Sequence, residues 1–165
     1  MASWKVSSMN SQPLSSQIDR LDHLVQNVKE KAADEYELSS WGKYICVLAS
    51  GVLENAVKNL YSEYASRQAS KPIASFIETH LGKIRSPNTD VFLVVATAFS
   101  GRLSMEIKKE LEDKGYDEAI DSIIRNRHLI VHGKEKDCAI SFVQAVQYYE
   151  NAKKGLAIIE TKLRA

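Results

Sequence analysis

The residues best suited to chemistry lie in one short segment, Ile123-Ile-Arg-Asn-Arg-His-Leu-Ile-Val-His-Gly133. It holds two arginines, one asparagine and two histidines among aliphatic residues, and no acidic residue occurs between Ser122 and Lys134. Burying an arginine beside isoleucine costs desolvation free energy unless a partner compensates for it. The segment therefore predicts a groove or an interface.

These side chains suit the cleavage of RNA by acid–base catalysis. Histidine exchanges a proton near neutral pH, because its ordinary pKa is near 6.5. One histidine can take the proton of a 2′-hydroxyl while another protonates the 5′-oxygen leaving group, and each positioned group typically contributes about 10²–10⁴-fold in rate. Arginine stays charged and binds phosphate oxygens through two hydrogen bonds. We expect such a reaction to need no metal ion and no cofactor.

Helical geometry leaves two arginines as candidates for the phosphate contact. Arg127 and His132 are five residues apart, which places them about 140° from each other around a straight helix. Arg125, His128 and His132 instead share one stripe of the helix. A straight helix favours Arg125, but helices distort near a terminal glycine such as Gly133, so Arg127 also stays a candidate.

Composition describes an ordinary globular protein. The 165 residues suffice for one domain, and 44% hydrophobic with 26% charged residues argues against a disordered chain. The net charge of +1 is low for a protein that coats nucleic acid, so any RNA contact must come from a local patch.

The cysteines and the apolar runs bear on the compartment. Cys46 and Cys138 are far apart and form no pair motif, which indicates free structural thiols in a reducing cytosol. We expect no signal peptide in the polar N-terminal residues. No apolar run approaches the ~20 residues of a membrane span, so the chain is predicted to be cytoplasmic, without a membrane partner.

The spacing of apolar residues predicts an all-α bundle with two long helices and several shorter ones. A polar, serine-rich, disordered tail is expected over 1–15 and a single domain over 16–165. Leu129-Ile-Val131 is an isolated β-branched run and does not predict a sheet. The helices are predicted over 16–35, 39–68, 73–81, 91–99, 103–115, 117–132 and 141–163. Gly115 is a predicted helix stop, Asp117 a predicted N-cap, and Ser141 with Gln144 a predicted capping box at the start of the last helix.

The candidate segment resembles the signature of HEPN domains. Arg127-His128-Leu-Ile-Val-His132 matches the pattern of arginine, polar residue, three residues and histidine. The continuation His132-Gly133 and the layout of the long helices are similar to the RiboL-PSP-like branch. The resemblance covers roughly 17–162. It implies a helical bundle that dimerises through the signature helix, and in many members a metal-independent endoribonuclease of toxin–antitoxin or antiviral systems.

Carried onto this chain, the resemblance makes Arg127 the signature arginine and His132 the signature histidine, with His128 at the polar position. Arg125 fits the longer spacing that the family also accepts, with six residues between the arginine and His132. The resemblance places the resulting site between two copies of the chain. We rank Arg127 first because its segment matches the signature more closely.

Three further residues are expected to support the site. Asn126 lies inside the segment, and Lys134 extends its basic end, where it suits either a phosphate contact or a favourable charge at a helix C-terminus. Glu54 is the sole acid in the apolar middle of the second helix, and we expect it to pair with an arginine of the segment.

A zinc site is the metal-dependent alternative. His128 and His132 have the i, i+4 spacing of a helical zinc pair, but Leu129 replaces the glutamate of the hydrolytic motif and no clustered third ligand follows. No metal ligand is therefore assigned.

We predict a homodimeric, metal-independent endoribonuclease of the toxin or antiviral-defence type. RNA is its expected substrate, and a cognate antitoxin or defence-system protein is a possible partner. Two alternatives stay open: a catalytically inactive HEPN module that binds RNA or docks a partner, and a helical scaffold held in a larger complex by the apolar stripe of the last helix.

Overall fold

The computed structural model describes residues 12–32 and 34–165. Within them the chain is helical and has no strand, so the predicted all-α class is confirmed. No helix in this part of the chain is long and apolar enough to cross a membrane. The helices are α1 Gln12–Lys31, α2 Glu35–Gln68, α3 Lys71–Leu81, α4 Thr89–Phe99, α5 Gly101–Lys114, α6 Tyr116–Val131 and α7 Phe142–Arg164, with a 3₁₀ turn at Glu135–Asp137.

Helix α2 is the centre of the bundle and packs against α1, α3, α4, α6 and α7. Its buried residues lie on most sides of the helix, as its nearly continuous apolar middle predicts. Helix α7 runs parallel to it. At one end a Cβ added to Gly42 would lie 2.9 Å from the Phe142 nitrogen, and at the other Arg67 donates to the Leu163 carbonyl oxygen at 2.9 Å.

Two predicted helix starts are corrected. Helix α1 begins at Gln12, before the predicted start at Ser16, and Leu14 is fully buried, so residues 12–15 of the predicted tail are helical. Residues 1–11 of that predicted tail lie outside the described residues. Helix α2 begins at Glu35, before the predicted 39, because the carboxylate of Asp34 accepts a hydrogen bond from the Glu37 N–H at 2.8 Å.

Helices α4, α5 and α6 follow one another with short connections. Gly115 alone separates α5 from α6, and its φ of +67° lies in the left-handed region that favours glycine. The predicted stop at Gly115 is confirmed, whereas the predicted cap at Asp117 is wrong, because α6 already begins at Tyr116. The Thr89 N–H donates to the Asp121 carboxylate at 2.8 Å and joins α4 to α6.

The capping box predicted at the start of the last helix is confirmed. The Ser141 hydroxyl accepts from the Gln144 N–H, and the Gln144 side chain accepts from the Ser141 N–H. The Tyr149 hydroxyl of the same helix donates to Asp22 of α1 at 2.8 Å. Helix α7 therefore has a fixed start and a polar contact with α1, and α6 packs against it.

Candidate functional site

Helix α6 carries the candidate segment and packs against α2 and α7. Its N-terminal half is anchored by four buried residues and its C-terminal half is more exposed. The buried residues are Ala119, Ile120, Ser122 and Ile123. Leu129 and Ile130 pack against the core from partly buried positions, so the helix keeps one apolar side inward to its end.

The end of α6 is closed by a left-handed glycine. The helix stops at Val131, and the N–H of the capping His132 donates to the His128 carbonyl oxygen at 3.2 Å. Gly133 has a φ of +72°, and the Lys134 N–H donates to the Leu129 carbonyl oxygen at 2.9 Å. This Schellman-type closure confirms the predicted stop and fixes the backbone of His132 one turn beyond His128.

The imidazoles of His128 and His132 are in contact. Their ring centroids are 4.2 Å apart and the ring planes are inclined by 52°. Both residues are exposed to solvent. The structure therefore brings together two groups that can each donate or accept a proton on one open surface.

The two candidate arginines occupy different surroundings. Arg125 is exposed, and its Nη1 lies 3.6 Å from Oε1 of Glu118. Arg127 is half-buried, and within the described residues its guanidinium has no hydrogen-bond or ion-pair partner. Arg125 thus shares the exposed side of α6 with the histidines, whereas Arg127 carries the less solvated charge. Which of them is the signature arginine stays a prediction.

Charge is divided along α6. Asp117, Glu118 and Asp121 lie in the first two turns, where the positive end of the helix dipole favours carboxylates. The cationic side chains follow only from Arg125 onward. The solvent-facing side of α6 from Asp117 to His132, here called the candidate surface, therefore has an acidic end and a basic end. An anion is attracted to the basic end.

Asn126 is held within the protein and does not face open solvent. Its Nδ2 donates to the Ser122 carbonyl oxygen at 2.8 Å, and its Oδ1 accepts from the Cys138 thiol at 3.3 Å. The sequence assigned Cys138 no role, because a single cysteine in a loop belongs to no motif. Only the return of the chain after α6 brings it to the candidate segment.

The second thiol, Cys46, lies in the core. Burial, with a smaller contribution from the neighbouring Cys138, raises the pKa of the Cys46 thiol to about 12. Cys46 therefore stays protonated at neutral pH, which argues against a nucleophilic thiol here. Both cysteines are free, as predicted.

The expected pairing of Glu54 with an arginine of the segment is wrong. Glu54 Oε1 accepts instead from the Ser86 N–H at 2.9 Å. Ser86 has a φ of +48° and lies in the loop between α3 and α4, which α2 meets on this side. Because the carboxylate of Glu54 accepts a hydrogen bond from this loop, Glu54 stabilises the loop and not the candidate segment.

The chain beyond the helix has alternating charges. Lys134 and Lys136 are exposed, and Glu135 Oε1 between them lies 3.2 Å from Nζ of Lys43. Beyond Lys134 the charges of neighbouring residues therefore largely cancel one another.

In the part of the chain that the structure describes, no group of three or more His, Cys, Asp and Glu side chains is placed to hold a metal ion.

Comparison with protein-family models shows to which family the chain belongs. The RiboL-PSP-HEPN family model matches residues 13–165, which include helices α2 to α7 and all but the first residue of α1. The chain belongs to the RiboL-PSP-HEPN family. The predicted family is therefore confirmed, and membership of this HEPN family supports an RNA-related function. Searches of curated proteins and of solved structures each found no match.

Proposed function

We propose that this RiboL-PSP-HEPN protein is a metal-independent endoribonuclease with a composite active site formed by the α6 helices of two copies. The observation that carries the proposal is the exposed contact between His128 and His132, whose ring centroids are 4.2 Å apart. Arg125 and Arg127 lie on the same helix, within two turns of both histidines. Proton-transfer groups and phosphate-binding groups are thus adjacent.

In the proposed reaction one imidazole removes the proton of a ribose 2′-hydroxyl. The 2′-oxygen forms a bond to phosphorus, the bond to the 5′-oxygen breaks, and a second imidazolium protonates that oxygen. The products are a 2′,3′-cyclic phosphate and a 5′-hydroxyl. An arginine stabilises the negative charge on the phosphoryl oxygens in the transition state.

The geometry of one copy favours a site shared between two. In-line displacement needs the base and the acid on opposite sides of the phosphorus, but the rings of His128 and His132 touch and leave no space for a phosphate between them. A second copy of α6 facing the first supplies the opposing group. Val131 is 46% exposed beside His132, and a facing helix would cover it.

We assign the phosphate contact to Arg127. A half-buried guanidinium without a partner among the described residues is stabilised by a bound anion. Arg125 already has Glu118 nearby and serves the approach of RNA, together with Lys134. His132 and His128 transfer protons, and Asn126 supports their helix.

The test is RNA cleavage in the presence of EDTA, with mapping of the product ends. We expect 2′,3′-cyclic phosphate ends from the wild-type protein, and a loss of at least about 100-fold with His132→Ala. His23→Ala is the matched control, because His23 is exposed on α1 and has no role in the proposal. Cleavage that continues unchanged in His132→Ala contradicts the assignment.

The two arginines are distinguished by kinetics. We expect Arg127→Ala to lower kcat by about 100-fold or more, since it stabilises charge in the transition state. Arg125→Ala should mainly raise KM. The opposite division between the two variants would transfer the signature role to Arg125.

The cellular setting belongs to the same proposal. A nuclease of this kind acts as a toxin or in antiviral defence, in the cytoplasm where RNA is present, and a cognate inhibitor protein restrains it. Expression in a bacterial host, with His132→Ala as the control, should arrest growth only with the intact site.

A second candidate is a HEPN module that binds RNA without cleaving it. It is favoured by the acidic end of α6, at Asp117, Glu118 and Asp121, together with a net charge of only +1. Such a module would bind RNA in a salt-dependent way and leave the strand intact. Charge removal at Arg125 and Arg127 would then reduce the salt dependence of binding.

A further inference from the structure

The chain that follows α6 folds back and is fastened at two points. The Cys138 thiol donates to Asn126 Oδ1 at 3.3 Å, and Lys43 Nζ of α2 lies 3.2 Å from Glu135 Oε1. Between Asn126 and Cys138 the backbone passes the left-handed Gly133 and the 3₁₀ turn. His132 lies inside this closed segment.

Asn126 presents a fixed acceptor to the thiol. Its Nδ2 donates to the Ser122 carbonyl oxygen at 2.8 Å, one turn back on α6. Because that bond sets the orientation of the amide, Oδ1 faces the returning chain. The position of Cys138 is thereby coupled to the body of α6.

Cys138 belongs to the hydrophobic core, in the neighbourhood of Cys46 of α2. Cys138 is 4% exposed and Cys46 is fully buried. Four residues beyond Cys138, at the first residue of α7, a Cβ at Gly42 of α2 would lie 2.9 Å from the Phe142 nitrogen, so the chain is held close to α2 where it enters α7. The thiol therefore has little freedom to move away from Asn126.

The two fastenings differ in their environment. The side chains of Lys43 and Glu135 are 22% and 61% exposed, and an ion pair that open to water is weak and screened by salt. The hydrogen bond between Cys138 and Asn126 is part-buried and joins two uncharged groups, so salt does not screen it.

We propose that Cys138 is a positioning residue, which acts through Asn126 to hold the segment 132–138 and so keeps His132 against His128. This inference rests on the proposed function in one respect, the role of His132 in proton transfer. The thiol itself touches neither RNA nor a reacting atom. Its effect is to restrict where the imidazole of His132 lies.

Kinetics of thiol variants test the proposal. In Cys138→Ala we expect kcat to fall about tenfold with KM nearly unchanged, because misplacing a catalytic group lowers the rate of the chemical step. Cys138→Ser keeps an O–H donor for Asn126 and should recover most of that loss. Cys46→Ala removes a buried thiol that makes no hydrogen bond to Asn126, and it should leave kcat unchanged even where it lowers Tm.

A double-mutant cycle checks the route through Asn126. In the Asn126→Ala background, Cys138→Ala should produce no further loss of kcat. An equal tenfold loss in both backgrounds would mean that the thiol acts by packing alone, and would overturn the proposal. Where Cys138→Ala does not fold, Cys138→Val, which fills the space of the thiol but offers no donor, replaces it in both backgrounds.

Hydrogen–deuterium exchange gives a readout that is independent of RNA cleavage. The Lys134 amide, bonded to the Leu129 carbonyl oxygen at 2.9 Å, should exchange several-fold faster in Cys138→Ala and return toward the wild-type rate in Cys138→Ser. If wild type cleaves no RNA but exchange responds in this way, the proposed function fails and the positioning stands. If wild type cleaves RNA while neither kcat nor exchange changes in Cys138→Ala, only the positioning is overturned.

Discussion

Glu118 and Arg125 face each other across two turns of α6, with Oε1 of the acid 3.6 Å from Nη1 of the arginine. The side chains are 65% and 63% exposed, so the pair contributes little to the free energy of unfolding. Its consequence is electrostatic. The carboxylate partly neutralises the first cation of the candidate surface, and it also accepts a hydrogen bond from Ser122 at 3.0 Å.

Removal of this carboxylate should therefore strengthen RNA binding. In Glu118→Gln the side-chain oxygen still accepts from Ser122, while Arg125 loses its counter-charge. We expect RNA to bind about two- to five-fold more tightly at low salt, with a smaller gain at high salt. Fluorescence anisotropy with a labelled RNA at two salt concentrations measures the change.

The matched control is Glu112→Gln on α5. It removes the same charge from another exposed pair, where Glu112 lies 3.6 Å from Lys108. We expect little change in RNA affinity from this variant. An equal gain in both would show that net charge, and not the position of Glu118, decides the affinity.

Gly133 should matter for both stability and catalysis. Its φ of +72° strains any residue with a Cβ, so Gly133→Ala should lower the free energy of unfolding by about 1–2 kcal/mol. Because Gly133 follows His132, kcat should fall as well. Urea denaturation and the RNA cleavage assay give the two values.

Gly101→Ala is the comparison for that substitution. Gly101 is the first residue of α5, and a Cβ there would meet nothing within 4 Å. Alanine restricts the unfolded chain, so stability should stay the same or rise by up to about 1 kcal/mol. If Gly133→Ala behaves like Gly101→Ala, the closure of α6 does not depend on the glycine.

The helical framework was predictable because its signals are local. Apolar spacing, the capping box at Ser141 and the terminal Gly115 and Gly133 each act within a few residues of the helix they define. Even there the start of α1 was missed, since the serine-rich sequence around Leu14 resembles a loop until α1 packs it into the core.

The partners of the site residues were not predictable in the same way. Glu54 bonds to Ser86, 32 residues away, because a loop of non-periodic sequence passes that side of α2. Cys138 reaches Asn126 only after the chain reverses at a left-handed residue. Such contacts depend on how the helices and loops pack against one another, and the spacing of residues in the sequence does not predict that packing.

Tyr149 should make stability depend on alkaline pH. Its hydroxyl donates to Asp22 at 2.8 Å, and burial, with that hydrogen bond and the nearby carboxylates, raises its pKa well above the ordinary value near 10. A raised folded pKa favours the neutral phenol in the folded state. The contribution of the Tyr149 hydroxyl to the free energy of unfolding is therefore complete below pH 10, and it is lost as the pH rises toward the folded pKa.

At pH 7 we expect Tyr149→Phe to unfold with about 1–2 kcal/mol less free energy than wild type. Above pH 10 the difference should shrink, because only the wild type carries the titrating group. Tyr148→Phe is the control, since Tyr148 is half-buried and its hydroxyl has no partner in the described ranges. A constant difference across the pH range would contradict the linkage. Urea denaturation at several pH values decides it.

Val131 tests whether two copies share the site. It is 46% exposed at the end of α6, next to His132, and a facing α6 would bury it. In Val131→Asp we expect a monomer by sedimentation and a loss of RNA cleavage, because an unpaired carboxylate in an apolar interface costs several kcal/mol. Val94→Asp on α4, where Val94 is 68% exposed, should leave the dimer and the activity unchanged.

A Val131→Asp protein that remains dimeric would place the interface away from the end of α6. A monomeric variant with full activity would show that one copy suffices for cleavage.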